Sequence, residues 1–480
     1  MAVGLKTADG TSRAYVIEPD ATLRPTPDYL APSHKIAEAL TGKPSSADIQ
    51  LPDGTQARIE WIKPKVLHAL HDILENFNNI FPDVDGLEKV RFQPGVPGGM
   101  DEVNTRLRER HDAIEHFSSL YDSGAIPLAL TARALGSDPV ATFLGLISSG
   151  HTIRVCEGTH PERDNAFSAI DGNAAKGCVL DPVTLHVVRR LNLEKAVTAV
   201  CGPIGIVNHT WFRIQREISE IEERINEPNL SLFWRDGQVF REEVTPEQKR
   251  AALDVLLADR NWIQKDVAIL PAQGTTDPGS ELRKIIGRFG SDFVDEILAA
   301  QGTGRLLVCE DFALRTIART EFGVKSSWLQ PVMMKALATE AISSDEYVKA
   351  VLGFIASRFE FVSIDGGLLS QTIAGTRSMD LPKDFLTLAS RLGGPKADLP
   401  SHVSVAARSI EACWNDDKKP EVLRQAMVGA LLENLTKGQT IENVAAIIVG
   451  FVEFGRTVLK DGAFIQYLND WLRGHFIQLP

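Results

Sequence analysis

Three short apolar runs in the middle of the chain end in acids. Cys178-Val179-Leu180 leads into Asp181, Leu306-Leu307-Val308-Cys309 into Glu310-Asp311, and Phe361-Val362-Ser363-Ile364 into Asp365-Gly366. Runs of this kind read as buried strands, and ligands of an open parallel sheet bind beyond the carboxyl ends of its strands. Neighbouring strands would bring these carboxylates into one crevice. Hard-oxygen donors gathered there suit Mg²⁺ or Mn²⁺. Such an ion lowers the pKa of a bound water and stabilises the oxygens of an in-line phosphoryl displacement. The acids then act as ligands, and no side-chain nucleophile is needed. A competing reading applies to each acid alone. Asp181 opens a helical segment, Pro182 to Arg190, and Asp311 opens another, Phe312 to Arg319, so each has the character of an N-cap or dipole partner.

Other reactive side chains carry less. Cys201-Gly202-Pro203-Ile204-Gly205 lacks the third glycine of a dinucleotide fingerprint. His68 and His71 stand three apart on a helix with no third ligand candidate nearby. Of the scattered histidines 151, 160, 186 and 209, His209 is placed to reach a phosphate near the crevice. No serine or cysteine sits in a G-x-S-x-G context. Trp211, Trp328 and Phe322 have apolar neighbours and read as core, while Arg189, Arg190, Arg213, Arg216 and Arg315 suit either a crevice rim or ordinary helix surfaces.

The elements that must position these groups follow from periodicity. Residues 1–66 carry turn signals around alternating runs such as Ala57 to Ile62, a small β-rich module. Residues 67–149 turn helical. Leu67, Leu70, Ile73, Leu74 and Phe77 share a face, and Pro82 with Asp83 closes the segment. Residues 150–375 alternate strands and helices, which implies a parallel sheet. The strand candidates are Thr152–Cys156, Cys178–Leu180, Val197–Cys201, Leu306–Cys309 and Phe359–Ile364. The charged stretch at about 217–282 reads as a helical insertion suited to a lid or a dimer contact, and residues 376–480 as helices with short loops. The fold class is therefore α/β.

Composition bounds the function classes. A chain of 480 residues is long enough for several domains. Its net charge of −12 disfavours a protein that coats nucleic acid non-specifically, although a carboxylate metal site is itself acidic. Five cysteines without paired spacing argue against a disulfide framework or a zinc site. With no apolar run of roughly 20 residues and no basic-then-apolar leader, the expectation is a reduced cytoplasmic protein that makes no use of a membrane.

The segment Gly177-Cys-Val-Leu-Asp181-Pro-Val-Thr-Leu-His-Val-Val-Arg-Arg-Leu, followed by Val200-Cys-Gly-Pro-Ile-Gly-Ile-Val-Asn-His-Thr210, resembles the first two strand–helix units of PIN-like domains. Leu307-Val-Cys-Glu310-Asp311-Phe-Ala-Leu-Arg-Thr-Ile-Ala-Arg, with Glu321-Phe-Gly-Val after it, is similar to that family's acid, helix and small-strand unit. The resemblance implies a PIN-like sheet and a metal-dependent nuclease. Asp181 matches the first acid and Asp311 the third, with Glu310 beside it. The family's second acid, a glutamate early in the helix near Asn208, meets Ile214 and Gln215 here; Glu217 is the first carboxylate on offer, with Glu220 three positions on. Asp365 stands as a fourth candidate ligand. At the N-terminus, His34-Lys-Ile-Ala-Glu-Ala-Leu40-Thr-Gly-Lys43, Asp48 and Pro52-Asp-Gly54 resemble the C-terminal module of Gre transcript-elongation factors, which binds RNA polymerase in that family. His34-Lys35 replaces its Ser-Pro pair and Ala47 its glycine, and the acidic coiled coil has no counterpart.

These resemblances imply hydrolysis of RNA, or of single-stranded DNA, with Mg²⁺ or Mn²⁺ held by Asp181, Asp311 and Glu310 or Glu217. The alternatives are an inactive PIN-like scaffold that docks a protein partner through the N-terminal module, and a toxin or defence nuclease held inactive until triggered. Self-association as a homo-oligomer is compatible with any of them.

Overall fold

Alternating apolar residues at the start of the chain close a small sheet. The computed structural model describes residues 1–75, 98–173, 176–274, 277–376, 378–394 and 397–475, in two units, Met1–Arg106 and Leu107–Pro480. In the first unit, β1 (Ala2–Thr7), β2 (Ser12–Ile17), β3 (Tyr29–Leu30), β4 (Asp48–Gln50) and β5 (Gln56–Lys63) form one sheet in the order β3-β2-β1-β5-β4. Every pairing is antiparallel except β2 with β3. Val3, Leu5, Ala57 and Ile59 point to one face and pack with Ala37 and Leu40 of α1 (Lys35–Leu40). The His34 ring caps that helix by accepting from the Ile36 N–H at 3.2 Å. The helix expected from Leu67 is α2 (Lys65–Glu75), with Leu67, Leu70, Ile73 and Leu74 all exposed. Phe77, Pro82 and Asp83, read as its last apolar position and its stop, lie outside the described residues.

The second unit is built on a parallel sheet of β6 (Cys178–Leu180), β7 (Ile204–Val207), β10 (Ala268–Leu270), β11 (Leu306–Val308) and β12 (Ser326–Ser327). Its order, β10-β7-β6-β11-β12, steps outward from β6 in one direction and then the other. The reversal falls between β6 and β11, where an open α/β sheet leaves its crevice. Side chains alternate cleanly. Cys178, Leu180, Leu306 and Val308 join one core, Val179, Leu307 and Cys309 the other. Helices α7 (Pro182–Arg190), α8 (Glu194–Cys201), α9 (Asn208–Glu223), α12 (Asp295–Thr303) and α13 (Phe312–Phe322) connect the strands, preceded by α3 (Asp101–Asp122), α4 (Leu128–Ala134), α5 (Pro139–Ser149) and α6 (His160–Asp171). Strands buried on both faces need such cover.

Four expectations need correction. Val197–Cys201 is the end of α8, because Ala196, Val197, Val200 and Cys201 are buried at helical spacing, and the strand begins only after Gly202-Pro203. Thr152–Cys156 and Phe359–Ile364 are not strands; they meet in a single parallel bridge, Ile153 to Phe359. The stretch at 217–282 is not all helical. It contains an antiparallel hairpin, β8 (Asn229–Arg235) and β9 (Gln238–Val244), whose Asp236-Gly237 turn holds φ of 50° and 78°, as a two-residue hairpin loop requires. After α10 (Pro246–Asp266) the same stretch returns as β10 and completes the sheet, and α11 (Ser280–Phe289) follows.

The remaining helices, α14 (Leu329–Ala338), α15 (Ser344–Ala356), α16 (Gly366–Ile373), α17 (Lys383–Ala389), α18 (Leu399–Trp414), α19 (Glu421–Thr436), α20 (Ile441–Phe454) and α21 (Gly462–Gly474), follow without a strand. Their apolar residues, from Leu329 to Trp471, belong to the same continuous core as one face of the sheet. All five cysteines are free and buried. Among the described residues no helix is long and apolar enough to cross a membrane.

Candidate active site at the carboxyl edge of the parallel sheet

The reversal of strand order decides which acids meet. Asp181 follows β6 directly and Asp311 lies just beyond the neighbouring β11. Both line one small cavity of about 30 Å³, with His209 from the first turn of α9 and Glu296 from the first turn of α12. Leu128, Phe293 and Leu314 supply the apolar walls, and Asp292 a further acid. Four acids therefore line the cleft, three of them, Asp181, Glu296 and Asp311, buried.

Each is held by local chemistry. Asp181 caps α7, accepting from the Val183 N–H at 3.1 Å and from the Thr184 hydroxyl. That hydroxyl also accepts the Glu310 N–H at 2.9 Å, tying the ends of β6 and β11 together through the fully buried Thr184. Asp311 caps α13 through the Ala313 and Leu314 N–H groups, at 2.9 and 3.2 Å, and its other oxygen accepts from the N–H of Leu128. Glu296 takes a hydrogen bond from the Thr210 hydroxyl at 3.3 Å. His209 stands between Asp295 and Glu296, 3.4 Å from each.

The electrostatics report a shortage of positive charge. Burial pushes Glu296 up to about 7, with His209 opposing the shift and Asp181 adding to it. Burial also pushes Asp311 to about 6, against the N–H groups of Leu128 and Leu314, and raises Asp181 against its capping bonds. For His209, burial works downward, but Asp295 and Glu296 outweigh it and hold the ring above its ordinary value. Desolvation disfavours a carboxylate unless a cation or donors compensate.

The other expected residues lie elsewhere. Glu310 is buried beside Asp311, yet it serves the opposite face of the sheet, accepting the Leu329 N–H at 2.6 Å to start α14. Its second oxygen has no hydrogen-bond partner among the described residues, and burial drives its pKa to about 8. Glu217 is two turns along α9 from His209 and pairs with Arg213 at 3.1 Å, which also reaches Asp138 at 3.5 Å. Burial raises its pKa and Arg213 opposes the rise. Glu220 is exposed beside Arg216. Asp365 caps α16 through the Leu368 N–H at 2.8 Å and does not line the cleft. Glu296, Thr184 and Asp292 escaped a search for acids at strand ends, because none follows a strand. The one sequence signal for Glu296 is an acid in the first turn of an apolar helix, ahead of Ile297, Ala299 and Ala300. Among the described residues, no group of three or more His, Cys, Asp or Glu side chains stands in an arrangement that could hold a metal ion.

A family model described as "PIN domain associated with the TPR-GreAB-C-PIN system" matches residues 179–320. The matched segment runs from within β6 into the last turn of α13 and includes Asp181, His209, Glu296 and Asp311, which supports a PIN-like domain in this part of the chain. No curated protein and no solved structure matches the chain.

Proposed function

We propose that the chain is a metal-dependent ribonuclease of PIN-like type, cleaving RNA or single-stranded DNA at the cleft between β6 and β11. The observation that carries this reading is the meeting of Asp181, Glu296 and Asp311, three buried carboxylates with raised pKa values, at the switch point of a parallel sheet. The donor set fits Mg²⁺ or Mn²⁺ in kind, being all hard oxygen and short of compensating cations. Asp181, Asp311 and Glu296 would hold the ion; once bound, it would lower the pKa of a water and polarise the scissile phosphate. The chain's own parts have plainer tasks. Thr184 fixes the ends of β6 and β11 against each other, Thr210 and His209 orient Glu296, and Leu128, Phe293 and Leu314 exclude bulk water. The family description names GreAB-C together with the PIN domain, in keeping with the resemblance of residues 1–66 on which a partner-docking task for that module rests.

The test is the double variant Asp181→Asn, Asp311→Asn. Asparagine caps helices about as well as aspartate, so α7 and α13 are retained while two anionic ligands are lost. Manganese-dependent cleavage of single-stranded RNA should fall at least a hundredfold, and calorimetric Mn²⁺ binding should disappear. Undiminished cleavage in that variant rejects the proposal.

A second reading, an inactive PIN-like scaffold, is favoured by one observation. Asp181 and Asp311 are already committed to their own helix N-termini, and no group of acids among the described residues stands ready for an ion. Absence of Mn²⁺ binding by the wild-type chain selects it.

A further inference from the structure

A second cavity, of about 330 Å³, lies between α6, α13 and β12. It is lined by Glu162 and Asn165 of α6, by Phe312, Arg315, Thr316 and Arg319 of α13, and by Lys325 and Trp328 around β12. None of these residues lines the acid cleft, although α13 begins there at Asp311. The volume is at the lower end of the range for small-ligand sites, on the order of 300–1,000 Å³.

Charge distinguishes this cavity from the rest of the molecule. Three cations, Arg315, Arg319 and Lys325, face one acid in a chain whose net charge is −12. The acid, Glu162, is already engaged with the Glu157 N–H at 2.7 Å and with Arg315 at 3.5 Å. Arg315 is buried and anchored, donating to the Cys309 carbonyl at 2.7 Å and to the Val155 carbonyl, with its guanidinium 4.9 Å from the centre of the Trp328 ring. The side chains of Arg319 and Lys325 make no hydrogen bond or ion pair among the described residues, and both are exposed. Gly172, at the end of α6, leaves room for the Lys325 ammonium, which would lie 3.0 Å from a Cβ at that position. The cavity thus combines two uncommitted cations with a rigid stack of tryptophan and guanidinium. Uncommitted Arg and Lys side chains suit phosphate oxygens, and aromatic and guanidinium planes are the surfaces on which unpaired bases stack.

We propose that this cavity binds a phosphorylated nucleotide, its phosphate on Arg319 and Lys325 and its base against Phe312 and the Arg315–Trp328 stack. The ligand chemistry has two sources, a free mononucleotide or the 5′-phosphorylated end of an RNA strand. The inference does not depend on nuclease activity, and its test uses the full chain carrying Asp181→Asn and Asp311→Asn in chelator, where cleavage cannot interfere. Binding of AMP, inorganic phosphate, and 5′-phosphorylated and 5′-hydroxyl tetrauridylate is measured by calorimetry, with and without Arg319→Ala, Lys325→Ala. Both substituted side chains are exposed, so the fold should persist. The expected result is micromolar to millimolar binding of AMP or of the phosphorylated tetranucleotide, weakened about tenfold or more by the double substitution. AMP binding identifies a free nucleotide as sufficient; binding of the phosphorylated strand alone, with the hydroxyl strand weaker, identifies the strand end. Binding of neither, binding no tighter than that of inorganic phosphate, or binding untouched by the substitutions overturns the inference.

Discussion

At the residue scale the acids are informative through what burial does to their protons. Glu310 is 1% exposed and burial drives its pKa to about 8, opposed only by the Leu329 N–H and Arg315, while its second oxygen has no hydrogen-bond partner among the described residues. A carboxyl group raised in this way keeps its proton in the native state after the unfolded chain has released its own. The native state is therefore favoured below the ordinary glutamate range and loses that advantage as pH rises from about 4.5 through about 8. The loss from this group is on the order of 5 kcal/mol. Denaturant unfolding in chelator should show stability falling across that interval. Glu310→Gln, which keeps the shape and cannot ionise, should flatten much of the fall and raise the midpoint at pH 8 while changing little at pH 5. Equal slopes in the two proteins would mean that Glu310 is ionised and compensated in the native state. The carboxylate pair at the end of β11 was legible in the sequence as an acid-bearing strand end, but the division of labour within it was not. Adjacent residues leaving a strand face opposite sides of the sheet, so Asp311 enters the cleft and Glu310 starts α14.

At the element scale the sequence was legible wherever pattern and break coincided. Cys178–Leu180 and Pro182–Arg190 were readable to the residue, because a buried run meets an aspartate and a proline that can only open a helix. The run Leu306–Cys309, one residue longer than β11, and the helix from Phe312 were readable because a buried run meets an acid pair that can cap a helix. Val197–Cys201 is ambiguous in sequence because a short apolar run suits either element, and the glycine and proline after it mark the start of β7 rather than the end of a strand. The hairpin was missed although Asp236-Gly237 between Phe233-Trp234 and Val239-Phe240 carries the signal; the surrounding charge concealed it. How tightly the entry to β6 is set shows at Gly177. It holds φ of 92°, and a Cβ there would stand 2.3 Å from the Pro203 carbonyl oxygen, which accepts from the Cys178 N–H at 3.0 Å and from Arg305 at 3.1 Å. Gly177→Ala therefore combines a left-handed backbone with a backbone clash, and should cost about 2–4 kcal/mol in denaturant unfolding. An unchanged midpoint would show that β6 and the Pro203 turn can separate freely.

At the scale of the whole molecule the division of the core matters most. The apolar cluster of the first unit runs from Val3 to Ile59, and the two clusters of the second run from Tyr121 to Trp471 and from Leu130 to Val324. Among the described residues each apolar cluster is made of residues of one unit, and the C-terminal helices share their core with the sheet of the second. That arrangement makes residues 107–480 one cooperative body and the N-terminal sheet another, but α3 (Asp101–Asp122) spans the boundary between Arg106 and Leu107. A truncation that respects the physics therefore begins at Gly98, ahead of the helix. The fragment 98–480 should unfold in a single calorimetric transition at the temperature of the larger transition of the full chain, within about 2 °C. The full chain should show a second, smaller transition from residues 1–75, whose ten-residue buried cluster can supply only a small enthalpy. Because every acid of the cleft lies in the fragment, its Mn²⁺ affinity and RNA cleavage should match those of the full chain, while any partner that docks on the N-terminal sheet should be lost. A fragment that melts well below the full chain would show instead that the N-terminal sheet stabilises the body carrying the cleft.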